Sequence, residues 1–143
     1  MSICLTVLPA TNDGSAVVST LAGSGEQDQS DGIPYQAKFL ALFALCVDPT
    51  GTGLQLYISD LYAVRVLNLM DKGSLAASVE TLAGSSQPEK GIVDGKRQDA
   101  RFGLIRGLAM ESDGSILYVA DTDNGRIRAV RVALARSRRM QAA

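Results

Sequence analysis

The sequence predicts an all-β fold in which one four-stranded unit occurs twice. The segment VSTLAGSGEQDQSDG, at residues 18–32, returns as VETLAGSSQPEKGIVDG at residues 79–95. The rest of the chain consists largely of short apolar runs separated by Gly, Pro, Asn and Asp, a pattern typical of strands and turns. The two TLAG runs lie 61 residues apart. A fixed period with several matched positions indicates a repeat architecture and outranks any local pattern.

Each copy contains four predicted strands. The first strand is apolar and ends in an acid, and the second is almost wholly apolar, as expected for a strand covered on both faces. The third strand begins near an arginine, and the fourth is the TLAG strand. The predicted positions are residues 44–48 and 107–111 for the first strand, 54–59 and 116–120 for the second, Arg65-Val66 and Arg126-Ile127 for the third, and 78–84 for the fourth.

The chain also contains part of a third unit. Residues 3–8 resemble a third strand and residues 16–22 a fourth strand, so that residues 1–23 form a half-unit. The second copy ends without a TLAG strand, and the N-terminal AVVSTLAG run is the piece that it lacks. The predicted organisation is a half-unit at about 1–23, repeat 1 at about 37–84, repeat 2 at about 100–132 (together one segment, 1–132) and a basic tail at 133–143.

Several polar and glycine positions recur once per copy, and we interpret them as structural. An aspartate after a strand commonly accepts backbone N–H bonds in an Asx turn. A structural arginine pairs with a nearby carboxylate. Asn-Gly supplies positive φ in the turn before the third strand of the second copy. The positions are Asp60 and Asp121, Arg65 and Arg126, Gly23 and Gly84, Gly32 and Gly95, with Asn124 in the Asn-Gly turn.

Tandem four-stranded units predict blades of a β-propeller. The run LYVADTDNGRIRAV, at residues 117–130, resembles the NHL repeat, and TLAGSG…DG…A-x-F resembles its longer-loop form. The resemblance covers roughly residues 16–132. The first copy departs from it, because Leu61-Tyr62-Ala63-Val64 follows Asp60 where the family has polar residues and Asn. NHL propellers include RNA-binding modules, protein-docking scaffolds and some enzymes, so the resemblance implies a fold and leaves these functions open.

Composition narrows the function classes. The 143 residues carry a net charge of −1, which gives no global field to attract nucleic acid or membrane. Residues 1–123 hold 8 basic and 15 acidic side chains, giving −7, whereas residues 124–143 hold six arginines and no acid, giving +6. The apolar start is too short, and wrongly flanked, for a membrane span or signal peptide. Two cysteines make no disulfide framework, so a reducing, intracellular compartment is favoured.

The sequence offers little catalytic chemistry. Histidine is absent, which removes the usual general base, any Ser-His-Asp triad and every histidine metal site. The Asp-rich run at residues 121–125 fails the calcium-loop frame, because Ala120 and Thr122 would occupy its first and third positions. We therefore expect no cofactor and no resident metal. An enzyme of the propeller lyase or lactonase kind has the weakest support, with a carboxylate-bound calcium site left open.

Two sets of residues are candidates for contact with a partner. Leu61 and Tyr62 are predicted at an exposed turn, where they would form a small apolar contact point. Most other aromatic residues are expected at core positions. Arg126, Arg128 and Arg131 open the arginine-rich end. We expect a non-enzymatic scaffold that mediates protein–protein interaction, and the alternative is RNA binding through the arginine-rich end.

The incomplete propeller predicts an assembly. NHL-type propellers commonly have about six blades, and two blades with a half-blade leave an apolar face bare at each end. The third strand of the last blade is also an uncovered edge. Head-to-tail contact, in which the N-terminal strand of one chain completes the last blade of the next, would close a ring of three chains. The competing expectation is that the chain is a piece of a longer propeller.

Overall fold

A computed structural model describes residues 3–4, 14–16, 18–50, 54–70 and 76–132, and every structural statement concerns these residues. They form nine β-strands and one short 3-10 helix. The strands are β1 (Ile3–Cys4), β2 (Thr20–Ala22), β3 (Leu42–Val47), β4 (Gln55–Asp60), β5 (Ala63–Leu69), β6 (Ala76–Ala83), β7 (Ile105–Met110), β8 (Ile116–Asp121) and β9 (Arg126–Arg131), and the 3-10 helix is Arg97–Asp99. The all-β prediction is confirmed. Within the described ranges no helix is long and apolar enough to cross a membrane.

The strands form three antiparallel sheets in chain order. β1 pairs with β2, β3 to β6 form a four-stranded meander, and β7 to β9 form a three-stranded meander. Within the second and third sheets, the same pairing recurs: the first strand of each sheet has a bulge near its start, between Leu42 and Ala44 or between Ile105 and Gly107. We call the second and third sheets unit 1 and unit 2. Unit 2 lacks a fourth strand among the described residues.

The two units differ in the hairpin between their second and third strands. In unit 1 only Leu61 and Tyr62 connect β4 to β5, and Leu61 adopts a positive φ of 53°. In unit 2 four residues make the turn, which ends at Gly125 with a φ of 60°. Because the turn of unit 2 is two residues longer, each later residue of unit 2 lies two positions further from its counterpart in unit 1.

The predicted equivalence of Arg65 with Arg126 is therefore wrong. Arg65 pairs with Ile58 across the hairpin of unit 1, and Arg128 pairs with Val119 at the same point of unit 2. Arg126 lies opposite Asp121, as Ala63 lies opposite Asp60. The offset between the units is thus 61 residues at the second strand and 63 residues at the third, so Arg128 is the counterpart of Arg65.

Two apolar clusters hold the sheets together. One cluster packs β2 against unit 1 and includes Leu21, Ile58 and Val79, and the other packs unit 1 against unit 2 and includes Tyr57 and Leu117. β4 contributes to both clusters because alternate side chains of a strand point to opposite faces. β8 is buried only on alternate positions, since its outer face has no neighbouring sheet among the described residues.

The N-terminal half-unit is described only in part. Among the described residues of the fourth-strand segment expected at 16–22, a strand forms over Thr20–Ala22, and the described pairs that join it to β1 are Ile3 with Ala22 and Cys4 with Thr20. Most of the third strand expected at residues 3–8 lies outside the described residues, as does the basic tail at 133–143.

Candidate functional site

The side chain of Arg65 is the centre of a buried polar cluster in unit 1. Its guanidinium donates to Asp60 Oδ2 at 2.7 Å and to Asp31 Oδ1 at 2.8 Å from Nη2 and 3.1 Å from Nε. It also donates to the carbonyls of Ser30 and Lys38 at 2.9 and 3.2 Å. We call this set the first arginine cluster.

Every nitrogen of that guanidinium is occupied. Arg65 has no exposed side-chain area, and its guanidinium lies 5.1 Å from the centre of the Phe39 ring, within range of a cation–π contact. Asp60 is equally buried. Burial raises the pKa of the Asp60 carboxyl, while the Ala41 N–H, Arg65 and the Leu40 N–H act in the opposite direction. A buried ion of this kind persists only when its partners satisfy it fully.

Asp60, at the end of β4, binds the segment that precedes β3. Its Oδ1 accepts the backbone N–H groups of Leu40 and Ala41 at 2.8 and 2.9 Å. Asp121 accepts the N–H of Gly103 at 2.9 Å in unit 2. The prediction that these aspartates accept backbone N–H bonds is confirmed, but the bonds bind the segment before the first strand rather than the aspartate's own turn.

Arg128 forms a matching second arginine cluster in unit 2. It donates to Asp121 Oδ2 at 3.0 Å, to the carbonyl of Arg101 at 2.7 Å and to the carbonyl of Val93 at 2.8 Å. It also pairs with Asp94 at 2.5 Å, and it lies 4.6 Å from the centre of the Phe102 ring. Each contact has its counterpart in the first cluster. Asn124, a predicted turn residue, supports it by donating to both oxygens of Asp121 and to the Gly91 carbonyl.

Besides Asn124, the two clusters differ in a contact with β6, which only the first cluster has. Thr81 of β6 donates its N–H to Asp31 Oδ2 and its hydroxyl to Asp31 Oδ1, both at 2.9 Å. The side chain of Asp31 is 40 % exposed. Asp94, its counterpart, is 96 % exposed because no fourth strand lies over it among the described residues.

An open groove lies where that fourth strand is missing. It has a volume of about 770 Å³. One wall is β9, and the other comprises the segment around Asp94 and the end of β6. Five cationic side chains line it: Lys96, Arg97, Arg126, Arg128 and Arg131.

The predicted contact residues divide between structural and accessible positions. Leu61 and Tyr62 are half-buried, so the expected exposed turn is wrong. The N–H of Leu61 donates to Ala41 and its carbonyl accepts from Ile105, which fixes the start of β7 against unit 1. Arg126 and Arg131 are exposed on β9. Arg128 is committed to its cluster.

The predicted glycines lie at turns. Gly23, Gly32 and Gly84 adopt φ values of 110°, 139° and 99°. The N–H groups of Gly23 and Gly84 donate to the carbonyls of Pro34 and Arg97, which are equivalent bonds in the two TLAG segments. Gly95 follows Asp94 and lies on the wall of the groove.

Sequence reasoning did not identify the full clusters. Asp31 and Asp94 precede Gly32 and Gly95 at the ends of the two repeated segments, but their arginine partners lie 34 residues further along the chain. The aromatic prediction also needs correction, because Tyr35 and Phe43 are exposed although Phe39 and Phe102 are buried. In the described ranges no group of three His, Cys, Asp or Glu side chains is placed to hold a metal ion. The geometry of the two arginine clusters serves to join strands and loops.

Solved structures with a similar fold come from Bacteroides thetaiotaomicron. A structural genomics protein of unknown function matches with a TM-score of 0.68 and 23% identity, over 86% of this chain and 29% of its own. An auxiliary nutrient binding protein matches with a TM-score of 0.65 and 24% identity, over 82% and 29% respectively. The likeness is one of fold. This chain spans less than a third of the length of either structure. No family model and no curated protein matches the chain.

Proposed function

We propose that this chain is a segment of an NHL-type β-propeller and acts as a non-enzymatic scaffold for protein–protein interaction. The observation that carries the proposal is the duplication of the arginine cluster. An arginine paired with a buried aspartate recurs in both units with matching carbonyl and aromatic partners, which is the behaviour of an architectural element rather than of a single active site. The repeated meanders support the propeller assignment, because a blade is a four-stranded antiparallel sheet.

An exposed apolar strip on β3 offers a surface for a protein partner. Phe43, Leu45 and Val47 alternate along the strand, and each is about half exposed. Large apolar side chains grouped on one strand are typical of a surface that another protein covers. The strip lies on the first strand of unit 1, which also contacts β7.

Site-specific photo-cross-linking tests the scaffold role. A benzophenone amino acid at position 45 should yield discrete adducts in extract of the source cells, and these adducts should be sensitive to protease and resistant to ribonuclease. The same group at position 70, where Met70 is exposed outside the strip, serves as the control. Equal cross-linking at both positions, or no adduct at position 45, would contradict a protein-binding strip.

RNA binding is the second candidate, and the cationic lining of the groove favours it. Arg126 and Arg131 are free of the arginine clusters, and Lys96 and Arg97 face them across the groove. Phosphate contacts of this kind make affinity fall steeply with salt. Titration of single-stranded RNA at low and moderate salt decides this alternative, with R131Q as the variant. Absence of binding at low salt removes it.

A further inference from the structure

The turn between β8 and β9 contains the single Asn-Gly pair of the sequence, Asn124-Gly125. In such a pair the backbone nitrogen of the glycine can attack the side-chain amide of the asparagine, because glycine has no Cβ to hinder the approach. Gly125 is exposed, and a Cβ built on it would meet nothing within 4 Å. The equivalent turn of unit 1 is Leu61-Tyr62, which carries no side-chain amide. This reaction is therefore available at the turn of unit 2 and not at that of unit 1.

The fold commits both reacting groups of this pair to hydrogen bonds. Nδ2 of Asn124 donates to the Gly91 carbonyl at 2.8 Å and to the two carboxylate oxygens of Asp121 at 3.0 and 2.9 Å. The N–H of Gly125 donates to the Thr122 carbonyl at 3.1 Å. Attack on the side-chain amide requires both sets of bonds to break, since Nδ2 must leave and the glycine nitrogen must lose its proton. The folded turn therefore opposes the reaction.

Two neighbouring segments hold this turn in place. A Cβ on Gly103 would lie 3.1 Å from Asn124 Nδ2 and 2.8 Å from Asp123 Cβ, so the backbone at Gly103 packs directly against the turn. Lys90 pairs with Asp123 at 2.9 Å, and the residue after Lys90 is Gly91, whose carbonyl binds the Asn124 amide. The turn can open only by separating from both segments. Such a local opening has a free-energy cost, which lowers the population of the reactive form.

We propose that Asn124 is a latent deamidation site, unreactive while the turn at residues 122–125 keeps these bonds and converted irreversibly to aspartate or isoaspartate when the turn opens. The Gly125 nitrogen loses its proton to base from the solvent and forms a bond to Asn124 Cγ. The Cγ–Nδ2 bond breaks, and Nδ2 leaves as ammonia with a proton taken from water. Water then opens the cyclic imide at either carbonyl, so the net reaction consumes one water and releases one ammonia. This site is independent of the scaffold and RNA-binding proposals.

The product of this reaction cannot rebuild the second arginine cluster. A carboxylate at position 124 has no amide donor, so Asp121 loses both bonds from Nδ2 and the Gly91 carbonyl loses its partner. The new carboxylate also lies beside that of Asp121, and like charges at this distance repel each other. Asp121 has no exposed side-chain area, and a buried charge depends on the groups that satisfy it. A unit 2 that has opened and reacted therefore stays less stable than one that has not.

Peptide mapping by mass spectrometry measures the reaction directly. The tryptic peptide of residues 107–126 contains Asn124 and no other side-chain amide, so conversion of this peptide to its acid form reports Asn124 alone. The wild type is incubated at mildly alkaline pH with and without urea. The folded protein should deamidate at least about tenfold more slowly than the unfolded chain, because reaction requires local opening. Equal rates in the two conditions would overturn the proposal.

Two variants separate the attacking nitrogen from the contacts that hold the turn. G125A should slow the reaction of the unfolded chain, because a Cβ hinders the approach of the nitrogen. K90Q should leave the rate in urea unchanged and raise the rate of the folded protein by about twofold to fivefold, since it removes an exposed ion pair that holds the turn. K38Q, which removes the exposed Lys38–Glu26 pair of unit 1, is the matched control and should change neither rate. An unfolded G125A that reacts as fast as the wild type, or a folded K90Q that reacts no faster than K38Q, would contradict the proposed route.

The effect of the product is tested with N124D and N124A. Both variants lack the amide donor, and only N124D adds a charge beside Asp121, so N124D should unfold at a lower urea concentration than N124A and both at a lower concentration than the wild type. Circular dichroism in the absence of urea checks that each variant is folded. A midpoint for N124D equal to or above that of N124A would overturn the claim that deamidation disables the second arginine cluster.

Discussion

Thr81 donates its backbone N–H and its hydroxyl to the carboxylate of Asp31, which lies 50 residues earlier in the chain. The two bonds fasten β6 over the first arginine cluster. They join β6, the last strand of unit 1, to the segment before β3 that contains Asp31. Asp31 therefore accepts two hydrogen bonds from Thr81 in addition to those from Arg65.

The hydroxyl bond of Thr81 can be removed with little change in shape. T81V should lower the free energy of unfolding by about 1 kcal/mol, because a hydrogen bond to a partly exposed carboxylate is lost. T20V changes the equivalent position in the N-terminal segment, where the side chain is exposed, and should alter stability by less than about 0.5 kcal/mol. Urea unfolding at low protein concentration measures both. Similar losses in the two variants would contradict the role assigned to Thr81.

Alkaline titration should detect the buried hydroxyl of Tyr57 in addition to that of Tyr118, whose pKa is also raised, by its hydrogen bond to Glu111. Burial raises the pKa of Tyr57 to about 12, with nearby Asp48 and Cys46 adding to the effect. Because the folded pKa lies above the ordinary value of 10.0, the stability linked to this hydroxyl is intact below pH 10 and is lost as pH rises toward 12. Ultraviolet absorbance of phenolate should show a late step in the folded protein. That step should be missing in Y57F and in urea, and its persistence in Y57F would refute the assignment.

Alanine substitutions at Gly84 and Gly25 distinguish the cost of a strained backbone from the cost of a steric clash. Both adopt positive φ, at 99° and 89°. A Cβ at Gly84 would lie 2.8 Å from the carbonyl oxygen of Tyr62 and 2.9 Å from Ala63 Cα, whereas a Cβ at Gly25 would meet nothing within 4 Å. G25A should cost about 1–2 kcal/mol from the left-handed backbone alone. G84A should cost about 1–3 kcal/mol more, since the backbone must also move. Equal urea midpoints for the two variants would show that the close approach at Gly84 is not maintained in solution.

The strands could be predicted from sequence because their signals are local. Apolar runs and turn residues place β3 to β9 within a few residues of their observed positions. The register of the third strand could not be predicted, because a two-residue turn at Leu61-Tyr62 replaces the four-residue turn at residues 122–125. Leu61 adopts a positive φ that its residue type does not suggest. The sequence does not indicate that unit 1 has two residues fewer at this turn. The prediction therefore aligned Arg65 with Arg126, whereas its counterpart is Arg128.

The arginine clusters depended on tertiary structure for a similar reason. Arg65 contacts Asp31 and Ser30 only when β5 lies beside the segment that precedes β3. The spacing of 34–35 residues between these partners leaves no local signal in the sequence. The recurrence of Asp-Gly in both copies was the available clue. The groove lies where unit 2 has no fourth strand among the described residues, as the repeat pattern indicated, whereas its cationic lining could be seen only in the structure.

The central claim is that β6 covers the first arginine cluster through Thr81, whereas no fourth strand among the described residues covers the second. Paired unfolding measurements of R65M and R128M test this most directly. Removing Arg65 leaves the fully buried Asp60 without its counter-ion and its Oδ2 without the Arg65 donor, while Oδ1 keeps the N–H groups of Leu40 and Ala41, with an expected loss of about 3–5 kcal/mol. Removing Arg128 leaves Asp94 in solvent and Asp121 with Asn124 as a donor, so its loss should be smaller by about 1 kcal/mol or more. Losses that are equal, or larger for R128M, would contradict the account.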